Sequence, residues 1–315
     1  MRVLVAAGRL GDHDGVDAAV LIGRAWHAVG ADVAALGLAE AGPDWARAHD
    51  ELGGNDDDLY LPVVGVEADA MLQTLAVLGV TGLPQHWSPG LDPAGFDVRA
   101  AVTMVSRLVA RRGRLIGLSL AGQELQPLTG PLGMAGRRAD LGLAERLGYD
   151  RALEEWAQSL RKAVEEAWPG PGGPDSGGAT AAPLFTEGDE GFLPGRVPGS
   201  GAGGGAGCVI QAFGGRVRSG IEVLAEQARL EQSVANADLV VTSCDNFDVD
   251  HWGSPVTNFV TELANEKGCP VVVITRTNHT NEIGQRSVGV EAVHAIGDAA
   301  EVTAACAGFA RTWIW

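Results

Sequence analysis

The sequence predicts a two-domain α/β protein with a parallel, doubly wound sheet and a cleft between the domains. Length is the first observation, because single hydrophobic cores stop growing near about 250 to 300 residues and this chain has 315. The second is a β-α-β pattern at each end of the chain, over residues 2–38 and 239–275. That pattern is the repeating unit of a parallel sheet.

The N-terminal half alternates between apolar runs and amphipathic stretches. The acidic, glycine-containing stretch 51–59 has neither period, and we expect a solvated loop there at which the chain crosses between domains. In order, the remaining pattern predicts a strand over 2–7, a helix over 17–29, a strand over 32–38, a helix over 98–112 and a strand over 114–120.

The C-terminal half opens on a segment rich in Pro and Gly. Residues 168–195 are expected to be flexible, because this composition has no apolar period to bury. After a glycine-rich loop, the pattern predicts helices over 207–213 and 220–227, a strand over 239–242, a helix over 257–267, a strand over 271–275 and a closing helix over 299–313.

Composition excludes several classes of partner. A net charge of −17 opposes binding to nucleic acid or to anionic lipid, and no apolar run approaches the length of a membrane helix. The N-terminal apolar run is too short for a signal peptide, and the four cysteines have no C-x-x-C spacing. We therefore expect a cytoplasmic protein that acts on a small molecule, with an oligomeric state that the sequence does not indicate.

A run of small residues before a predicted helix is the first candidate binding site. Glycines allow backbone N–H groups to turn toward a ligand, and a helix N-terminus favours negative charge, so such a loop can hold a phosphate or carboxylate. The alternatives are a flexible linker, or a G-x-G-x-x-G dinucleotide loop that two preceding prolines argue against. The candidate residues are Gly199, Ser200, Gly201, Ala202, Gly203, Gly204 and Gly205.

Polar residues follow the two predicted C-terminal strands, where ligands bind in open α/β sheets. Asp245, Asp248 and Asp250 come after the first strand and could hold Mg²⁺ directly or through water. Arg276 follows the second strand and is the best candidate for an anion contact, because the chain has only two lysines. An acidic, solvent-exposed loop is the alternative for the aspartates.

The C-terminal region resembles the type-I glycerate kinases. The resemblance is carried by V-P-G-S-G-A-G-G-G-A-G at 197–207, S-G-I-E at 219–222 and A-D-L-V-V-T at 237–242. The family has the same order and spacing over about eighty residues. It implies a two-domain α/β kinase with a discontinuous Rossmann-like domain that transfers a phosphoryl group from ATP to glycerate.

The resemblance also implies a division of the chain and a set of roles. The Rossmann-like domain would comprise residues 1–60 plus 236–315, and 61–235 would form an inserted α/β domain. Asp248 matches the family aspartate and would be catalytic and hold Mg²⁺, with Asp245 and Asp250 as further catalytic candidates. The glycine-rich loop, Arg276 and the strand-end residues Thr242 and Ser243 would bind substrate or phosphate.

Several charged positions of the family differ here. Its glutamate, arginine, glutamine and lysine around the aspartate are replaced by Cys244, Asn246, Asp250 and Ser254. Two main hypotheses follow: an ATP-dependent kinase for glycerate or a similar small hydroxy acid, or a catalytically impaired member that binds a ligand or partner. An oxidoreductase that binds a dinucleotide at the glycine-rich loop is a third, weaker one.

Overall fold

The computed structural model describes residues 1–54, 57–168, 193–298 and 301–314. In chain order the strands are β1 (Arg2–Ala7), β2 (Asp32–Gly37), β3 (Leu59–Pro62), β4 (Leu115–Ser119), β5 (Arg216–Ser219), β6 (Leu239–Phe247), β7 (Val271–Asn278) and β8 (Ala292–Ala295). The α-helices are α1 (Gly15–Ala28), α2 (Pro43–Glu51), α3 (Asp69–Val77), α4 (Arg99–Ala110), α5 (Leu143–Ala167), α6 (Ala206–Ala212), α7 (Gly220–Gln227), α8 (Leu230–Asn236), α9 (Pro255–Glu266), α10 (Glu282–Ser287) and α11 (Val302–Trp313).

The chain divides into two compact units. Unit 1 comprises Met1–Gly54 and Gly220–Trp315, and unit 2 comprises Asn55–Ser219. The return to unit 1 therefore lies at residue 220 and not at 236, so α7 and α8 belong to unit 1. The predicted flexible segment 168–195 lies outside the described residues, except for residue 168 and residues 193–195.

Unit 1 is built on a parallel five-stranded sheet with the order β2-β1-β6-β7-β8. Counted within the unit this order is 2-1-3-4-5, one of the common doubly wound arrangements. Helices α1 and α11 share a core with one face of the sheet, which includes Trp26, Val241 and Ile274. Helix α1 begins where the Asp14 side chain accepts a hydrogen bond from the Asp17 amide. The predicted α/β class with a parallel sheet is confirmed.

Unit 2 contains a smaller parallel sheet in the order β3-β4-β5. Helix α5 buries Leu153, Trp156, Leu160 and Val164, which recur at the helical spacing. These side chains join one core with residues of α3, α4 and α6. No helix in the described ranges is both long and apolar enough to cross a membrane.

Strands β6 and β7 are longer than the sequence pattern predicts. The apolar run ends near Thr242, yet the two strands remain paired as far as Phe247 and Asn278. Parallel pairing uses backbone groups, so it continues after the side chains become polar. As a result Asp245 and Arg276 lie within strands, and the loop that follows β6 begins at Asp248.

Candidate functional site

The glycine-rich loop of unit 2 needs its glycines for two structural reasons. Gly203, Gly204 and Gly205 are consecutive residues with φ of +54°, +66° and +93°, a conformation that L side chains rarely adopt. A Cβ on Gly204 would also overlap the backbone oxygen of Glu67, and a Cβ on Gly201 would overlap that of Pro127. The loop is therefore an ordered wall packed against neighbouring backbone, and the linker hypothesis is wrong.

Most of the loop's amide donors bind acceptors within the protein. The Gly201 N–H donates to the Gln126 backbone oxygen at 2.9 Å. The Gly203 N–H donates to the Gln123 side-chain oxygen at 3.1 Å. The amides of Ala202 and Gly205 donate to backbone oxygens of the loop itself, at 3.0 and 3.4 Å. An anion beside this loop would therefore take its main contacts from side chains, and not from the N–H cradle that the sequence suggested.

Ser200 and Ala202 lie inside the protein. Both are fully buried. The Ser200 hydroxyl accepts a hydrogen bond from the Leu128 amide at 2.8 Å and lies 2.9 and 2.6 Å from the backbone oxygens of Gly195 and Val197. This hydroxyl holds the loop in place. The loop also follows a 3₁₀ turn over Pro194–Arg196 where a dinucleotide fingerprint needs a strand.

One side of the loop lines a cavity of about 410 Å³, which we call the unit 2 pocket. The cavity combines the bare backbone of the loop with amide, charged and aromatic side chains. Its lining residues are Gly65, Val66, Glu67, Gln123, Gln126, Met134, Arg137, Arg138, Tyr149, Gly201, Gly203 and Gly204.

The two adjacent arginines of the unit 2 pocket differ in their partners. Arg138 makes a two-pronged ion pair with Asp140 at 2.8 and 2.7 Å, which raises the pKa of the arginine, and its guanidinium lies 5.9 Å from the centre of the Tyr149 ring. Arg137 donates to the neutral side-chain oxygen of Gln126 at 2.5 Å. Among the described residues, no carboxylate lies within ion-pair distance of Arg137. Arg137 thus brings to the pocket a positive charge that no described carboxylate pairs with directly.

In unit 1, the ends of β1 and β6 meet where the strand order reverses, the position at which doubly wound sheets bind ligands. The Gly11 amide donates to Asp245 Oδ1 at 2.5 Å. Ser243 donates from its hydroxyl to the Gly8 backbone oxygen at 2.8 Å, and both Ser243 and Thr242 are fully buried. Cys244 is buried as well, and burial raises the pKa of its thiol, as is typical of a cysteine that packs in the core.

Asp248 caps the turn after β6. Its Oδ1 accepts hydrogen bonds from the Asp250 and His251 amides, both at 3.0 Å, and lies 3.2 Å from His251 Nδ1. Partial burial acts to raise the pKa of Asp248, but these hydrogen bonds outweigh it and lower the pKa overall. Within the described ranges, no group of three or more His, Cys, Asp or Glu side chains could hold a metal ion, so the three predicted aspartates do not form a cluster.

A separate cavity of about 370 Å³ lies in unit 1, and Arg276 lines it together with Gly11, Asp12 and Asp298. Its guanidinium is paired with Asp298. That ion pair is the main cause of the raised pKa of Arg276, and Asp245 and Asp12 act in the same direction. A phosphate at Arg276 would therefore have to compete with carboxylates that are already present.

The comparisons with known proteins identify the family. The model described as the glycerate kinase family matches residues 126–314, about three-fifths of the chain. The chain belongs to the glycerate kinase family. The resemblance deduced from the sequence is confirmed, and with it the assignment to a family of nucleotide-dependent kinases. The matched range includes most of the unit 2 pocket and the whole of β6.

The individual relatives of this member of the glycerate kinase family share limited sequence identity with it. Uncharacterized proteins of Mycobacterium bovis and Mycobacterium tuberculosis are each 32% identical over 101 residues, which is 32% of this chain and 26% of theirs. The chain thus matches about a quarter of the length of these relatives. A crystal structure of a protein assigned as glycerate kinase 2 from Salmonella typhimurium LT2 aligns with a TM-score of 0.58. It covers 99% of this chain and 98% of its own at 17% identity, so it supports the fold alone.

Several residues of the unit 2 pocket were not predicted from the sequence. The relevant signal was weak, since it consisted only of an arginine pair in a chain that has two lysines. Nothing in the pattern indicated that this pair lies beside the glycine-rich loop, which comes much later in the chain. The residues missed were Glu67, Gln123, Gln126, Arg137, Arg138 and Tyr149.

Proposed function

We propose that this chain is a kinase that uses ATP and Mg²⁺ to phosphorylate glycerate or a similar small hydroxy acid. The observation that carries the proposal is the family match over residues 126–314, which takes in both candidate regions: the glycine-rich loop with its arginine pair, and the end of β6. Phosphoryl transfer requires positioning and charge neutralisation more than covalent chemistry. Arginine side chains beside a rigid loop and a carboxylate at a strand end suit those requirements.

The residues present are compatible with a modest metal site. Mg²⁺ usually keeps several waters and is bound through one or two carboxylates plus substrate phosphates, so a cluster of three acids is not needed. The hydrogen bonds of Asp248 fall on Oδ1, so Oδ2 is the atom that could contact Mg²⁺. When bound, the nucleotide supplies the phosphoryl group. Asp248 would help to neutralise its charge, and we propose Asp245 and Asp250 only as secondary candidates.

Release of ADP with D-glycerate, ATP and Mg²⁺ tests the proposal. The informative variant is Asp248→Asn, because asparagine keeps an oxygen for the Asp250 and His251 amides while it removes the charge. We expect wild-type turnover at least about 100-fold above that of Asp248→Asn. Glu262→Gln, an exposed position on α9, is the matched control and should leave turnover unchanged.

Wild-type ADP release no faster than the background without protein would contradict the kinase proposal, and equal release above that background in Asp248→Asn would remove the role of Asp248. If ligands then raised the thermal stability of the chain without turnover, the second hypothesis would replace it. That hypothesis is a family member that binds its ligand without catalysis. It is consistent with the replacement of the family glutamate by the buried Cys244.

A further inference from the structure

We propose that the unit 2 pocket binds the carboxylate substrate, with Arg137 contacting the carboxylate and Glu67 accepting a hydrogen bond from a hydroxyl group of the same molecule. The identity of this ligand rests on the proposed function, but the site itself does not involve the nucleotide. The pocket is formed by residues of unit 2 alone. Arg137 provides positive charge to this pocket.

The first argument is the unequal neutralisation of the arginine pair. The Arg138 charge is balanced by Asp140 in a two-pronged ion pair. Arg137 has a neutral amide as its partner, so its charge is available to a ligand. In a chain of net charge −17, an arginine of this kind gives the cavity a local positive charge that attracts an anion.

The second argument is that Arg137 is held in a fixed relation to the glycine-rich loop. Gln126 accepts from Arg137 through its side chain and from the Gly201 amide through its backbone oxygen. One residue thus connects the guanidinium to the loop wall. Gly203 and Gly204 line the cavity, and their close packing against the backbone of Val63 and Glu67 keeps that wall in place. Side chains that are held in position bind with a smaller loss of entropy.

The third argument is the presence of Glu67, which selects the class of anion. Glu67 lines the pocket, and its carboxylate is close enough to Arg138 and Tyr149 to act on the pKa of both. A simple anion would be repelled by this carboxylate, whereas a hydroxyl group would donate a hydrogen bond to it. A molecule that carries a carboxylate and a hydroxyl satisfies Arg137 and Glu67 together. A small hydroxy acid fits the pocket on these grounds.

Calorimetric binding in the absence of metal tests the site, with D-glycerate, propanoate and ADP as separate ligands. Propanoate has the carboxylate without the hydroxyls, and ADP shows whether Arg137 binds a phosphate instead.

For wild type we expect D-glycerate to bind more tightly than propanoate. Arg137→Gln should weaken both by about tenfold or more, because a charged hydrogen-bonding partner is lost. Glu67→Gln should reduce the preference for D-glycerate over propanoate. Arg107→Gln, an exposed arginine on α4, is the matched control and should bind both like wild type.

Three results would overturn the assignment. They are unchanged D-glycerate binding in Arg137→Gln, a loss in that variant confined to ADP, and no binding of D-glycerate to wild type. An unchanged preference for D-glycerate in Glu67→Gln would overturn the role of Glu67. The outcome is separable from that of the kinase proposal. If wild type releases ADP while Arg137→Gln binds D-glycerate normally, the kinase proposal stands and the assignment of the unit 2 pocket falls. If the pocket binds D-glycerate but no ADP is released, the assignment stands and the kinase proposal falls.

Discussion

The glycine-rich loop of unit 2 and the acidic strand end of unit 1 use backbone and side chains in opposite ways. In unit 2 the loop backbone is occupied by internal hydrogen bonds, and the side chains around it, such as Arg137, face a cavity. In unit 1 the carboxylates of Asp245 and Asp248 accept from backbone amides of neighbouring turns. A sequence motif therefore does not show whether the backbone or the side chain of a residue is used in hydrogen bonds that hold the fold.

This difference predicts where each region should be sensitive to substitution. Side-chain changes at the unit 2 pocket should alter binding with little effect on stability, whereas any added side chain in its glycine wall should damage the fold. At the strand end of unit 1, the same carboxylates both support the turn and serve as candidates for catalysis. Stability and activity should therefore be harder to separate there.

The largest effect is expected for Gly204→Ala. A methyl group there meets the Glu67 backbone, and the residue has φ of +66°. We expect a loss of about 3 kcal/mol or more in the free energy of unfolding, because left-handed strain and a backbone clash add together. Urea unfolding followed by tryptophan fluorescence measures it. Gly148→Ala within α5 is the control, since no atom outside the nearby backbone of its own helix lies within 4 Å of its added Cβ. It should be neutral or stabilising by up to about 1 kcal/mol. Similar values for both variants would contradict the packed-wall description.

A smaller contrast is expected between two buried serines, one from each region. Ser200→Ala leaves the Leu128 amide of unit 2 without its acceptor and should lower the free energy of unfolding by about 2 kcal/mol. Ser243→Ala in unit 1 removes a single donor to the Gly8 oxygen and should lower it by about 1 kcal/mol. Paired urea titrations measure both. A Ser200→Ala variant that is fully stable but has lost ligand binding would restore the direct contact that the sequence suggested.

Sequence reasoning predicted the elements with a clear apolar period and missed those without one. The core positions of β1, β6 and β7 follow apolar runs, and these strands were predicted. The return to unit 1 lies at residue 220, well before the predicted position 236. Strand β5 ends at Ser219 and α7 begins at Gly220 with no linker between them, so composition gives no signal. A Cβ at Gly220 would overlap the Glu40 backbone oxygen, and the Gly220 backbone oxygen accepts a hydrogen bond from Trp45 Nε1 at 2.8 Å.

The candidate site was predicted in part. The glycine motif correctly marked the wall of a cavity, because consecutive glycines before a helix indicate an unusual backbone path. The charged residues of that cavity lie on segments without helical or strand periodicity, such as the turns around Gln126 and Arg137. Their approach to the loop depends on long-range packing, which spacing along the chain does not encode.

The comparison between units extends to acid sensitivity. In unit 1 the His294 ring stacks on Phe309 with centroids 4.3 Å apart, and its Nε2 accepts from Trp313 Nε1 at 3.1 Å. Burial lowers the pKa of His294 below its ordinary value of 6.5. In unit 2, a hydrogen bond with His86 and one from the Trp87 amide lower the pKa of Asp69 below its ordinary value of 3.8. The neutral His294 ring therefore contributes its full stabilisation above pH 6.5, and that contribution is lost as the pH falls through the lower pKa of the folded state. The contribution of the Asp69 carboxylate persists down to pH 3.8 and is lost at lower pH.

Mild acidification should therefore loosen α11 of unit 1 before α3 of unit 2. Amide hydrogen exchange, corrected for the intrinsic effect of pH, should show less protection of α11 peptides at about pH 5.5 than at about pH 7.5, with α3 unchanged. Both pH values lie far above the range in which Asp69 becomes protonated. In His294→Gln the side chain keeps an acceptor for Trp313 but does not titrate, so α11 should lose its pH dependence. If α11 responded to pH equally in wild type and in this variant, the sensitivity would have to come from another group, and the contrast between the two units would not rest on His294.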